Sequence, residues 1–475
     1  MKRKLSRYHP RYIRSFVYML QASEYHLRDF LAWHERVKDF RHVEKRKQLV
    51  FTTKAKWLFV CGWATWALVL LGAFSAFSYF SVPWNYLAAV ALLYEGPFLV
   101  ALGIITALSL VRALQLPVEA VIYARARRKL AAHKAIKIAV AGSFGKTSMR
   151  EIVKTVLGEG KQVAAPGGSH NTPLAVSRFI EKLSGDEEVI VFEFGEYYPG
   201  DVQMLCDLVQ PDIGIITGVN EAHLEKFKDI DKTTATIFEL ADYLGDKPLY
   251  VNAENEAAHA RASAAHTLYS REGAGSWHVE DATSNLEGTS FVLRGNGARI
   301  TIHSKLLGLH QVGPLVCAAD IATRLELSPE AIQSGLSRTR PFEHRLEPRT
   351  DDGGVITLDD SYNGNPDGVA AIIAFLATLK DHRRWYVTPG LVEMGERTVE
   401  VHRAIGTQLA GAGIENVVLI RNSVTPHIEQ GLEEANYTGT VHWFEEGLQA
   451  YAALPHMMVA GDVVLLQNDW PDQYA

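Results

Sequence analysis

Lys146 and Thr147 close a glycine-bearing turn, Gly142-Ser143-Phe144-Gly145-Lys146-Thr147-Ser148. Glycines let backbone N–H groups approach phosphate oxygens. A lysine there brings charge to the terminal phosphates, and a threonine hydroxyl is a hard ligand for Mg2+. Such a turn works only between a buried strand and a helix N-terminus. Ile136–Ala141 (IKIAVA) predicts the strand, and a helical pattern runs on through Leu157. The strict phosphate-loop pattern wants a glycine where Val140 stands, so the match is carried by Gly145-Lys146-Thr147 and its flanks.

Downstream, Val189–Phe192 predicts a strand ending in Glu193-Phe194-Gly195. Ile213–Thr217 predicts another, followed by Asn220-Glu221-Ala222-His223-Leu224-Glu225. Open α/β sheets bind ligands beyond the carboxyl ends of their strands, so Glu193 and His223, both downstream of a phosphate turn, are candidate functional residues. A polar, Gly-rich stretch at 270–300 predicts an antiparallel excursion on this sheet. Beyond residue 340, Ile356–Leu358, Trp385–Thr388, Val417–Ile420, Val441–Phe444 and Val463–Leu466 predict strands alternating with helical patterns. They describe a second, Rossmann-like α/β domain without a dinucleotide fingerprint, since Gly411 and Gly413 come too late in their helix.

The net charge of −6 conceals an asymmetry: residues 1–56 hold fifteen Lys/Arg and five Asp/Glu, leaving −16 on the rest. No charged residue occurs from Trp57 to Ser81, a length that spans roughly 37 Å as a helix. Tyr86–Val111 is a second apolar run, interrupted by Glu95 and Pro97. The two predict a transmembrane hairpin. Lys54 and Lys56 precede it, Arg112, Arg125, Arg127, Arg128 and Lys129 follow it, and the loop Val82–Asn85 has no basic residue. The positive-inside rule then places both ends, and the domains they carry, in the cytoplasm. Helical stretches such as Phe16–Asp39, with Tyr25, Phe30 and Trp33 among basic residues, predict an arm drawn to anionic lipid headgroups rather than nucleic acid, at ~1 kcal/mol per basic residue. The three cysteines, Cys61, Cys206 and Cys317, lie far apart and exclude a disulfide framework.

From Ile136 onward the chain resembles the ATP-dependent Mur ligase family, nearest its MurF-like, D-alanyl-D-alanine-adding branch. The resembling segments follow in family order: GSFGKTS at 142–148, NTP at 171–173, EFG at 193–195, AHLEKF at 222–227, VNAEN at 251–255, GLH at 308–310, HRLEP at 344–348, DDSYNGNPDG at 359–368, EMGE at 393–396 and His402. The resemblance implies ATP and Mg2+ as cofactors and a division of roles. Gly142, Ser143, Gly145, Lys146, Thr147 and Ser148 cradle the phosphates, with Asn171 near the γ-phosphate. Thr147, Glu193 and His223 surround Mg2+. Asn252 lies by the adenine and Asp360 by the ribose, while Tyr362 and Asn365 flank the nucleotide. Arg345 reaches the phosphates, and His402 belongs to the C-terminal side of the cleft.

Four departures from the family pattern stand out. Residues 1–135 hold the basic arm, hairpin and linker where the family has its UDP-sugar domain. The carbamylated lysine of many members falls on Ile237, which removes a ligand for a second Mg2+. Gln311 and Pro314 replace an asparagine pair after GLH. The C-terminus reads Gln467-Asn-Asp-Trp-Pro-Asp-Gln-Tyr474 in place of a Lys-Gly-Ser-type segment.

The expected organisation is a basic helical arm (1–56), a two-helix transmembrane hairpin (57–111), a linker helix (112–135), a central ATP-binding domain (136–339) and a Rossmann-like C-terminal domain (340–475). The implied function is a membrane-anchored carboxylate–amine ligase working through an acyl phosphate on a cell-envelope precursor, UDP-linked or lipid-linked, with an amino acid or dipeptide as the amine. Two other readings stay open: a ligase for a poly-amino-acid envelope polymer, which DDSYNGNPDG argues against, and an ATP-binding scaffold that has lost the ligase step, which Ile237 and the altered C-terminus motivate.

Overall fold

The computed structural model describes residues 2–23, 25–41, 43–44, 48–168, 170–220, 230–342, 345–361, 364–392 and 394–467. The chain divides near Val121 into two compact units.

In the first unit, helices Lys2–Ser6, Tyr12–Ala22 and Leu27–Arg36 precede a long helix, Thr53–Tyr79. The Thr52 side chain caps that helix by accepting from the Ala55 N–H. Its partner, Trp84–Ala131, is one continuous helix that passes through Pro97 and Pro117. The second apolar run and the expected linker are therefore a single element, and residue 111/112 marks no break. Both helices are long and apolar enough to cross a membrane. They approach at small residues: a Cβ on Gly62 would strike Ile104, one on Gly96 would strike Trp66, and one on Gly103 would strike Thr65. Close backbone approach at glycine is how apolar helices pack where no hydrophobic effect drives them together.

The basic arm differs from expectation. The stretch predicted as helical over Phe16–Asp39 breaks at Ser23–His26, where Tyr25 adopts φ 63°. Phe16, Phe30 and Trp33 are buried in one cluster with Leu58, Val100 and Ile104. These aromatics, with Ile13, Val17, Met19 and Leu20 of the arm, form a core against the hairpin. Arg14 and Glu44 close the arm with a two-pronged ion pair at 2.7 and 2.9 Å.

The second unit holds two sheets. Strands β1 (Ile136–Ala141), β2 (Val163–Ala164), β3 (Val189–Glu193), β4 (Ile213–Ile216), β5 (Leu249–Asn252) and β6 (Thr267–Ser270) pair in parallel. The antiparallel excursion expected at 270–300 is β7 (Gly273–Ala274), β8 (Trp277–Asn285), β9 (Gly288–Gly295) and β10 (Ala298–Ser304). The spatial order is β10-β9-β8-β7-β6-β5-β4-β1-β3-β2. The central parallel strands are apolar throughout because helices cover both faces. Helices Lys146–Leu157 and Val312–Arg324 pack on one side, and Pro173–Glu181, Asp201–Val209 and Ile230–Leu244 on the other. Strand β10, with one face open, alternates buried and exposed residues instead.

The second sheet contains β11 (Glu347–Thr350), β12 (Ile356–Asp360), β13 (Arg384–Thr388), β14 (Asn416–Ile420), β15 (Thr440–Phe444) and β16 (Val463–Gln467), in the order β11-β12-β16-β13-β14-β15. All pairs are parallel except the edge pair β11–β12. The five expected strands are all present, and the added edge strand β11 follows directly on Arg345.

Candidate active site

The phosphate turn sits between β1 and the helix Lys146–Leu157. Gly142 has φ 140°, and a Cβ there would lie 2.2 Å from the Thr217 hydroxyl and 2.9 Å from the Gly218 carbonyl. Gly145 has φ 70° and leads into the helix. The Ser143 N–H donates to the Gly218 carbonyl at 2.9 Å, tying the turn to the end of β4. Val140 is wholly buried and its carbonyl accepts from the Phe194 N–H at 2.9 Å. The position where the strict motif has glycine is therefore still strand, which explains the shortened match.

A network of buried polar groups surrounds the turn. Glu193, at the end of β3, is 2% exposed, and its carboxylate accepts from the Thr147 hydroxyl (2.9 Å), the Arg150 guanidinium (3.1 Å) and the Asn171 amide (3.3 Å). Arg150, itself 1% exposed, also donates to the Gly168 carbonyl at 2.6 Å. The Lys146 ammonium pairs with Glu196 at 2.9 Å and also donates to the Gly142 carbonyl. A cavity of about 90 Å³ opens onto these groups and onto Arg345 and Asn365 from the following domain. The Ser143 hydroxyl lies in its wall, buried and without a partner among the described residues. Backbone amides, a lysine, a hard-oxygen pair and a partnerless buried hydroxyl fit a nucleotide's phosphates and an accompanying divalent cation.

The cavity gathers Ser143, Gly145, Lys146, Thr147, Ser148, Asn171, Glu193, Arg345 and Asn365 from the expected set. Gly142 shapes the turn from behind. Asp360 closes β12 near Arg345; burial pushes its carboxyl up to about 6, against the pull of that guanidinium. Asn365 caps the helix Pro366–Thr378 by accepting from Gly368 N–H at 3.0 Å, and also accepts from the Asn220 amide at 2.9 Å. That contact joins the end of β4 to the DDSYNGNPDG segment. Asn252 is outside the cavity lining: its amide donates to the Thr217 carbonyl at 2.9 Å and its oxygen accepts from Glu254 N–H at 3.0 Å. His223 and Tyr362 lie outside the described residues.

His402 is not among the residues that line the cavity. It is wholly buried, its Nε2 accepts from the Leu391 N–H at 2.9 Å, and its Nδ1 lies 2.6 Å from the Thr398 carbonyl. Both ring nitrogens are spent on backbone, and burial holds its pKa below the usual histidine value. It positions the loop after β13 instead of facing the cavity. Ile237 is likewise buried in the apolar layer beside Leu240 and Phe238. Arg150 and Glu196 were not among the expected site residues. Arg150 lies four residues after Lys146, one turn along the same helix, and Glu196 directly follows Glu193-Phe-Gly, so spacing was the available signal.

Residues 140–322 match the Mur ligase middle domain, and residues 344–467 match the Mur ligase glutamate ligase domain. The chain belongs to the Mur ligase family. It is 28% identical over 354 residues to a UDP-N-acetylmuramoyl-tripeptide–D-alanyl-D-alanine ligase of Mycobacterium tuberculosis, covering 70% of this chain and 69% of that one. A Bacillus subtilis ligase of the same name is 25% identical over 290 residues, 59% of this chain and 61% of that one. The MurF ligase of Thermotoga maritima, solved with ADP, superposes with a TM-score of 0.65 at 21% identity, covering 74% of this chain and 80% of that one. The Mur ligase fold, and with it an ATP-dependent ligase architecture, is what positions the cavity residues.

Proposed function

We propose that this protein is a membrane-anchored ligase of peptidoglycan precursor synthesis that joins a carboxylate to the amine of a short peptide at the expense of ATP and Mg2+. The observation that carries this is the convergence of Lys146, Thr147, Glu193 and Asn171 with Arg345 and Asn365 around one cavity. The first four belong to the nucleotide-binding sheet and the last two to the neighbouring domain, as a reaction between two bound substrates requires.

The carboxylate attacks the γ-phosphorus of ATP, ADP leaves, and the resulting acyl phosphate is attacked by the amine. Loss of phosphate and a proton then leaves the amide. Phosphoryl transfer of this kind depends on placed charge more than on covalent help from the protein. Lys146 and Arg345 would offset the repulsion between carboxylate and triphosphate. Thr147 and Glu193, with His223, would hold Mg2+, which would neutralise phosphate charge. Asn171, tied to Glu193, would orient the transferring group. Closure of the Arg345–Asn365 side would exclude water from the acyl phosphate. The hairpin Thr53–Tyr79 and Trp84–Ala131 would anchor the enzyme, with both ends and the catalytic domains on the cytoplasmic side, where a precursor held at the membrane surface is within reach.

The test is product analysis. The full chain in detergent is incubated with ATP, Mg2+, D-alanyl-D-alanine and either UDP-linked or lipid-linked muramoyl-tripeptide, and products are weighed by mass spectrometry. The expected product is the sum of the two substrates less one water, with one ADP per bond and none from Lys146→Ala. ADP-free incubations across all pairs would refute ligation and favour a scaffold role.

A further inference from the structure

The carboxylate of Glu196 opposes the cavity's use as an anion site. It is 2% exposed and pairs at 2.9 Å with the Lys146 ammonium, the group that faces the incoming phosphates. Glu193, also buried, stands in the same cavity wall. Two buried carboxylates thus share the site with Lys146, while Arg150 is committed to Glu193 and the Gly168 carbonyl. The Ser143 hydroxyl, buried in that wall and without a partner among the described residues, marks where an added oxygen ligand or phosphate is expected.

We infer that Glu196 makes nucleotide binding depend on a divalent cation: it occupies Lys146 and repels bare triphosphate, so only the metal-bound nucleotide is accepted. The inference rests on the nucleotide reading of this cavity. A phosphate oxygen reaching Lys146 from the other side would lie about 6 Å from the Glu196 carboxylate, close enough in a partly desolvated site for one unit of charge to change affinity by roughly a hundredfold. A divalent cation bound near Thr147 and Glu193 supplies the opposite charge and removes that repulsion. Charge, not shape, is therefore the discriminating property, and Glu196→Gln isolates it because the amide oxygen can still accept from Lys146.

Isothermal titration of the full chain in detergent with a non-hydrolysable ATP analogue tests this, once with Mg2+ and once with excess chelator. The wild type is expected to bind the metal-free analogue at least tenfold more weakly than the Mg2+ form. In Glu196→Gln the metal-free analogue should bind at least tenfold more tightly than to wild type, so the two affinities converge. A ratio unchanged by the substitution overturns the inference. So does equal weakening of both forms in a variant whose melting matches wild type, which would make Glu196 only a support for Lys146. If the wild type binds neither form, the nucleotide reading itself fails, and the two failures are distinguishable.

Discussion

Arg150→Met removes a buried cation while keeping most of its volume. In the wild type the guanidinium holds the Glu193 carboxylate at 3.1 Å and the Gly168 carbonyl at 2.6 Å, and it also pairs with Glu151 at 2.8 Å. After substitution the partners left to Glu193 among the described residues are neutral, the Thr147 hydroxyl and the Asn171 amide. An uncompensated buried charge costs about 3–5 kcal/mol. In the Glu151 pair the carboxylate side chain is 31% exposed, so the pair adds less. For a domain of this size the loss corresponds to a melting shift of roughly 6–20 °C. The assay is thermal unfolding of the full chain in detergent, with hydrogen exchange at Val189–Glu193 reporting the local strand. Adding Glu193→Gln to Arg150→Met removes the stranded charge and should recover at least half of the shift. Saturating Mg2+ and nucleotide should also narrow the gap, because the cation replaces the lost charge. A single variant melting within about 2 °C of wild type, or a double variant no better than the single, would refute the assignment of Arg150 as the counter-ion of Glu193.

Three further outcomes are expected. His310, pushed down to about 4 by burial, is neutral when folded; its contribution is complete above about pH 6.5 and is lost as pH falls toward 4, amounting to ~3 kcal/mol, and His310→Asn should flatten that limb of a stability–pH titration. His402→Asn should lower the melting temperature yet leave the shape of the pH–rate profile intact, since neither ring nitrogen faces the cavity; a lost ionisation limb would restore it as an acid–base group. A cysteine at Ser81 should react with an impermeant maleimide added outside intact cells while one at the exposed Ser263 should not, because the basic residues flank the hairpin and none lies in its loop. Labelling at 263 alone would reverse the topology.

Local sequence determined the strands and the phosphate turn. Ile136–Ala141, Val189–Phe192 and Ile213–Thr217 are apolar but for Lys137 and the terminal Thr217, a pattern that two-sided burial favours, and Gly145-Lys146-Thr147 leaves few alternatives for the chain that follows. The two apolar helices were legible for the same reason: a long apolar run, free of charge in the first helix and broken only by Glu95 in the second, is a property of consecutive residues. What spacing could not reach was the partner of each polar group. Arg150 reads as one more basic residue on an amphipathic helix until β3 brings Glu193 against it, and Glu196 reads as surface until the fold turns it onto Lys146. His402 shows the reverse: a residue singled out by its place in the chain proves to be buried among backbone groups. The aromatics of the arm became core because the hairpin offered them an apolar wall. Burial and pairing depend on contacts between residues distant along the chain, so only the tertiary structure could decide them.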